Sequence, residues 1–375
     1  MDFSFTEEQT SIRQAIREIL ADLVTDESLK ALEKSGSSFH EVAWKALAEA
    51  EMLGIAIPEA YGGAAFGFME LCLLLDEVGR TVAPIPALPT LVSAALPIAA
   101  FGTDEQKERL LPGVVKGELL LSAAFAQVGH QDPKRPAAKA VRTSSGYALT
   151  GEFTNVSVAD RAARILVGAE IEGEGIAVFL LDPKASGVKL GAQRGTNGEH
   201  LALLTLDGAS VDERDVLAGP DRGAAVLGYA IDHTLVGMCA LEHGIADGAL
   251  HMTARYATER KQFGMPIGAF QAVKQRLADA YIDAQAIEVT MLKAAYKLSR
   301  GEAAEREVAV AKYWAADAGA RVLAAAQHIH GGMGFDRDYP LHRYFLQSKH
   351  CEMTLGGASA SLARLGSDIA ARGLT

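Results

Sequence analysis

The hydrophobic period changes twice along this chain, and those two changes limit its architecture more than any other feature. Apolar residues Ile12, Ile16, Ile19, Leu20 and Leu23 recur at helical spacing behind Thr6 and Gln9, which have the form of a capping box. Further helical patterns run over residues 39–53, 69–82, 86–100 and 103–115, with Gly and Pro at the junctions. From about Glu118 the pattern shortens to apolar runs at 119–125, 138–149, 165–167, 176–181 and 201–206, which are strand signals at the spacing of a small β-barrel or sandwich. Helical spacing returns at Asp221 and persists. The expected fold class is therefore α+β: an N-terminal helical domain over 1–117, a central β-barrel or sandwich domain over 118–220, and a C-terminal helical bundle over 221–375.

A chain of 375 residues exceeds what one core supports, and 49% hydrophobic with 22% charged residues describes a globular protein with ample apolar surface to bury. The net charge of −11 repels a polyanion, and no basic run carries interleaved aromatics, so nucleic acid is excluded as a partner. The start, MDFSFTEEQ, has acids where a secretory signal has Lys or Arg. The apolar stretch at 87–102 is short for a membrane span and is cut by Pro89 and Pro97. Cys72, Cys239 and Cys351 are scattered without metal-like spacing and read as buried thiols. A cytoplasmic protein with neither a metal site nor a membrane partner is expected.

One stretch, ERKQFGMPIGAFQAVKQR over Glu259–Arg276, interrupts the C-terminal helical pattern. Gly264, Met265, Pro266, Ile267 and Gly268 break the period between a helix ending near Arg260 and another beginning near Gln271. A cation and an amide are thus held at a hairpin end. As a local feature, Arg260 reads equally as a helix C-terminal charge complementing the macrodipole.

The order R-x-x-F-G, then I-G-x-F-Q, then H-I-H-G-G-M-G-F at 328–335, resembles the acyl-CoA dehydrogenases, and the resemblance extends over essentially the whole chain. It implies a helical domain, a β domain and a C-terminal four-helix bundle, with FAD as cofactor and an acyl-CoA thioester as substrate. It further implies that Arg260, Phe263, Gln271, His328, Gly331 and Gly332 contact the adenosine diphosphate end of a flavin held by a neighbouring subunit. A guanidinium forks onto pyrophosphate oxygens, and Gly lets backbone N–H groups approach closely. His328 departs from the family, which usually has Gln there.

Other family positions are vacant. The family's Glu base, counted from Gly332, falls on Leu355 or Gly356, and the alternative base position of some members falls on Thr234. Asp232, Glu242 and Glu352 are the nearest carboxylates, and helix carboxylates are by default solvated. Where the family carries a T-E-P-x-A-G-S-D loop this chain reads AFAQVGHQDP. Where the family has W-I-T-N it has Asn155, Val156 and Ser157, with Ser157 able to keep one hydroxyl contact. Base and ring-side contacts are lost together while contacts to a neighbour's cofactor remain, so no catalytic residue is assigned.

This pattern resembles the β subunits of heteromeric acyl-CoA dehydrogenases of steroid side-chain degradation. There an α subunit brings base and ring contacts in an α2β2 assembly. Electrons pass to electron-transfer flavoprotein or another acceptor. The other readings are a self-sufficient homotetramer with a relocated base and a dehydrogenase-like scaffold without turnover.

Overall fold

The computed structural model describes residues 4–130 and 132–373. Helix α1 (Glu7–Leu23) opens with the expected capping box: Thr6 accepts from the backbone N–H of Gln9, and the Gln9 side chain accepts in return from Thr6 N–H. Helix α2 (Asp26–Ser35) buries Leu29 alone, too narrow a stripe to register as a period. Then follow α3 (Glu41–Glu49) and α4 (Phe68–Arg80). Residues Leu88–Ala95 wind as a π-helix that continues into α5 (Leu96–Phe101), with Ser93 Oγ donating to Leu88 O at 3.2 Å. Helix α6 (Asp104–Val115) starts on a second capping box, Thr103 with Gln106.

The middle of the chain is one mixed, eight-stranded sheet. Its strands are β1 (Leu120–Ala124), β2 (Lys139–Thr143), β3 (Gly146–Ser157), β4 (Ala162–Ile171), β5 (Gly175–Leu181), β6 (Val188–Arg194), β7 (His200–Asp212) and β8 (Val216–Ala218). Their order is β6-β7-β3-β2-β4-β5-β8, with β1 also paired to β4; the β1–β4 and β2–β4 pairs are parallel and the rest antiparallel. Phe153, Phe179, Tyr147, Leu149 and Leu204 lie in its core. The run at 138–149 is a hairpin rather than one strand, because the chain turns at Ser144 and Ser145 between β2 and β3. Strand β6 escaped the periodicity because it buries no residue fully and so shows no alternation.

Helix α7 (Gly223–Glu259) follows, 37 residues long. It is long and apolar enough to cross a membrane by composition, but 72% of its most apolar window is buried inside the protein, as in a core helix. A two-stranded hairpin, β9 (Lys261–Gln262) and β10 (Met265–Pro266), and a 3₁₀ turn at Ile267–Ala269 lead into α8 (Gln271–Ser299). Helix α9 (Glu305–His330) packs against α8, and against α10 (Leu341–Met353) and α11 (Ala358–Arg372).

The described residues fall into two compact units. One takes the chain up to Ser35, Cys72–Ala83 and the residues from Val236 onward; the other takes Gly36–Leu71 and Pro84–Leu235, including the whole sheet. All three cysteines are buried, and none forms a disulfide among the described residues.

Candidate functional site

Arg260 stands where α7 gives way to β9, its N–H donating to Tyr256 O at 2.8 Å and its carbonyl accepting from Ile267 N–H at 2.8 Å. The backbone is thus tied across the hairpin. The guanidinium is exposed and makes no hydrogen bond or ion pair among the described residues. At the tip, Phe263 and Gly264 have φ of +53° and +81°, both central positions of the turn being left-handed. Two-residue hairpins of this form favour Asn-Gly, and an aromatic there costs about 1–2 kcal/mol. Phe263 recovers nothing by burial, being 92% exposed with only an edge contact to Phe270 at 6.2 Å. Gln271 is exposed at the first position of α8, whose N-terminus has no side-chain cap. Free backbone donors and a free guanidinium therefore share one end, a setting suited to an anion.

The end of α9 lies beside this hairpin. Tyr256, one turn before Arg260, stacks on His330 with ring centroids 4.3 Å apart. His330 Nδ1 donates to Ala326 O at 2.8 Å, and Nε2 is 3.0 Å from the Tyr339 hydroxyl. Burial lowers the His330 pKa against the hydrogen bond to Ala326, so the ring is a neutral structural pin. His328 is exposed. Gly331 needs its glycine for φ of +60°, whereas a Cβ on Gly332 would meet nothing within 4 Å. Nothing in this chain demands glycine at 332, and the bare backbone there is open to a group from outside. The structure brings Arg260, Phe263, Gln271, His328, Gly331 and Gly332 to one end of one unit.

The other motif positions, within the sheet-bearing unit, are occupied differently. Asn155 sits at a bulge in β3 with φ of +57°, and its N–H donates to Gln193 Oε1 at 3.0 Å. The Ser157 hydroxyl donates to Glu199. Immediately after the 124–133 segment, Lys134 pairs with Asp232 at 2.7 Å. Thr234 is buried; its hydroxyl donates to Ala230 O at 2.7 Å and lies 2.9 Å from Ser93 Oγ.

Of the remaining carboxylates Glu352 is paired, whereas Glu242 has one oxygen bonded and its Oε2 buried without a hydrogen-bond partner among the described residues. Glu242 is 1% exposed, correcting the expectation of a solvated helix acid. Its Oε1 accepts from Ser348 Oγ at 2.6 Å, and burial pushes its pKa up to about 8 against that bond and the nearby Lys312. Glu352 pairs with Lys349. Leu355 and Gly356 form a left-handed turn with φ of +55° and +97°, with the Leu355 carbonyl accepting from Arg364 at 2.7 Å. A Cβ on Gly356 would come within 2.8 Å of the Ala360 Cβ.

Models of the acyl-CoA dehydrogenase N-terminal and C-terminal domains match residues 6–118 and 221–370. The chain is 37% identical over 378 residues to acyl-CoA dehydrogenase FadE27 of Mycobacterium tuberculosis, covering 99% of each. This chain belongs to the acyl-CoA dehydrogenase family. Among solved structures, it is similar to a variant of the steroid ACAD Tcur3481-Tcur3483, at 42% identity and TM-score 0.92 over 98% of this chain and 99% of that one. The ChsE4-ChsE5 complex from Mycobacterium tuberculosis is similar at 36% identity and TM-score 0.93, covering 99% of each chain.

As an acyl-CoA dehydrogenase family member, the chain keeps the hairpin motif and departs at the ring-side motifs. Sequence reasoning missed what occupies the departures: Gln193, Glu199 and Lys134 are polar residues on solvent-side positions of strands and loops, and no local signal names their partners. Position 232 was legible as an acid, but the lysine that neutralises it lies far away in sequence.

Proposed function

We propose that this chain is the subunit of a heteromeric, FAD-dependent acyl-CoA dehydrogenase that completes the adenosine diphosphate end of the flavin site and leaves the base to its partner. The α,β-dehydrogenation of an acyl-CoA thioester needs a carboxylate to take the α proton, and bound FAD supplies the hydride acceptor. The observation that carries the reading is a contrast in free polar groups. Arg260 has no side-chain partner among the described residues, while Ser157 and Asp232 are each engaged internally.

The fit to the cofactor is correspondingly one-sided. Arg260, Gln271, His328 and the open backbone at Gly331 and Gly332 suit a diphosphate, with Phe263 presenting an apolar face beside them. The ring-side residues do not suit an isoalloxazine, because the aromatic is missing at Asn155 and the Ser157 hydroxyl is already used. Neither Leu355 nor Gly356 can take a proton, and Glu242 holds its own at neutral pH. The similarity to the steroid ACAD and to the ChsE4-ChsE5 complex supports a two-chain assembly acting on a steroid-derived acyl-CoA; the α2β2 stoichiometry, a cytoplasmic location and electron-transfer flavoprotein as one candidate acceptor are part of the same proposal.

The test is anaerobic bleaching of the flavin band by a series of acyl-CoA esters. We expect no bleaching by the chain alone with added FAD, and bleaching by the chain with its partner at one flavin per pair of chains. Rapid bleaching by the chain alone, with one bound flavin per protomer, would favour the homotetramer and sink this reading.

A further inference from the structure

A cluster of buried charges in the unit that contains α1 takes no part in the flavin reading. Asp76 and Glu77 on α4 and His243 on α7 are 2%, 0% and 2% exposed. His243 Nδ1 lies 2.7 Å from Asp76 Oδ1. On its other side Nε2 is buried without a hydrogen-bond partner and faces Glu288 Oε2 on α8 at 3.9 Å. The second oxygen of Asp76 takes Arg13 from α1, and Glu77 takes Arg13, Arg17 and Arg80. Arg80 also pairs with Asp247, and the exposed His251 stands 3.2 Å from Asp247 at the rim.

Apart from the exposed His251 at the rim, the charges of this cluster balance when the His243 imidazole is protonated. Asp76, Glu77, Asp247 and Glu288 bring four negative charges; Arg13, Arg17 and Arg80 bring three positive ones. A neutral His243 that donates from Nδ1 to Asp76 would aim the lone pair of Nε2 at a second carboxylate. The lone pair of a buried nitrogen would then face a partly buried carboxylate, an arrangement that costs free energy. A protonated ring donates to Asp76, places its charge 3.9 Å from Glu288 and supplies the fourth positive charge.

We infer that Asp76, His243 and Glu288 form a proton-dependent clasp, in which an imidazolium fastens α4 to α7 and α8 and releases them on deprotonation. Arg13 and Arg17 extend the fastening to α1 through Asp76 and Glu77. Burial by itself would lower the His243 pKa, but the charge and hydrogen bond of Asp76, then Glu288 and Asp247, outweigh it and hold it above its ordinary value. The stabilisation is therefore fully present below the unfolded pKa of about 6.5 and is lost as pH rises through the folded one.

Thermal unfolding of the full chain across about pH 6–9 tests the clasp. We expect the wild-type midpoint to fall with rising pH by roughly 2–4 °C more than that of His243→Gln, which keeps a donor toward Asp76 but cannot titrate. Parallel profiles for the two proteins would overturn the inference. If His243→Gln does not fold, Glu288→Gln decides, since it alters only the half-buried outer carboxylate. The titration of His243, followed by NMR of histidine-labelled protein, should then move down by about one pH unit. An unmoved titration, or a wild-type His243 already neutral near pH 6, would overturn it equally.

Discussion

The hairpin end at Arg260–Gln271 and the β3 region at Asn155–Ser157 both carry polar groups and use them in different ways. At the hairpin the backbone is closed by internal bonds, while Arg260 and Gln271 present exposed side chains with no hydrogen bond or ion pair among the described residues. At β3 the Asn155 backbone N–H donates to Gln193 and the Ser157 hydroxyl donates to Glu199, while the Asn155 side chain stays exposed. A polar group already satisfied within the chain gains little from a ligand, whereas one left open in a strained turn gains its full contact on binding. The Phe263 conformation fits this logic: a left-handed aromatic that is almost wholly exposed contributes nothing to its own fold.

The contrast can be broken most forcefully at Arg260. Arg260→Ala is expected to weaken FAD retention in the assembled complex by about 1.5–3 kcal/mol, or roughly 10- to 100-fold in Kd, with Arg260→Lys recovering part of it. The melting temperature of the chain should hardly move. Equal flavin content in mutant and wild type would make Arg260 a helix-end charge and nothing more.

Glu242 sharpens the comparison by asking whether a third region hides a base. Its folded pKa of about 8 lies above the 4.5 of an ordinary Glu, so between those values the native chain keeps a proton that the unfolded chain has released. Stability accordingly falls as pH rises through that window, and Glu242→Gln should flatten the fall by something on the order of 1–3 kcal/mol. Turnover of the assembled complex should survive the substitution. If activity vanishes while the fold is intact, Glu242 is the relocated base.

Ser157→Ala is the mirror of the Arg260 experiment. Removing the hydroxyl that donates to Glu199 should cost about 1 kcal/mol in denaturant unfolding while leaving flavin stoichiometry unchanged. A loss of flavin without a loss of stability would show that this side also serves a cofactor. The smallest effect is expected at Phe263→Gly, which relieves the left-handed strain and should raise the stability of the isolated chain by up to about 1 kcal/mol. Flavin retention in the complex should drop slightly if the ring faces the cofactor.

Much of the fold was readable because local chemistry repeats. The capping boxes at Thr6 and the returns of helical spacing each act within a few residues, and the order of helices, strands and helices follows from them. The hairpin was readable for the same reason, since Gly264 and Pro266 punctuate it within one turn. Where burial gave no pattern, as in β6, or a narrow one, as in α2, the elements were missed.

By itself the sequence determined the family, the two changes of period and the absence of a carboxylate at 355, 356 and 234. These are matters of residue identity and short-range periodicity. Only the tertiary structure decided that Glu242 is buried, with its pKa pushed up to about 8, that Ser157 answers to Glu199, and that Arg260 answers to none of the described residues. Desolvation and pairing depend on which distant segments meet, and Asp76 reaches His243 across 167 residues of sequence. No local pattern carries that information, because the free energy of a charge is set by its surroundings in space.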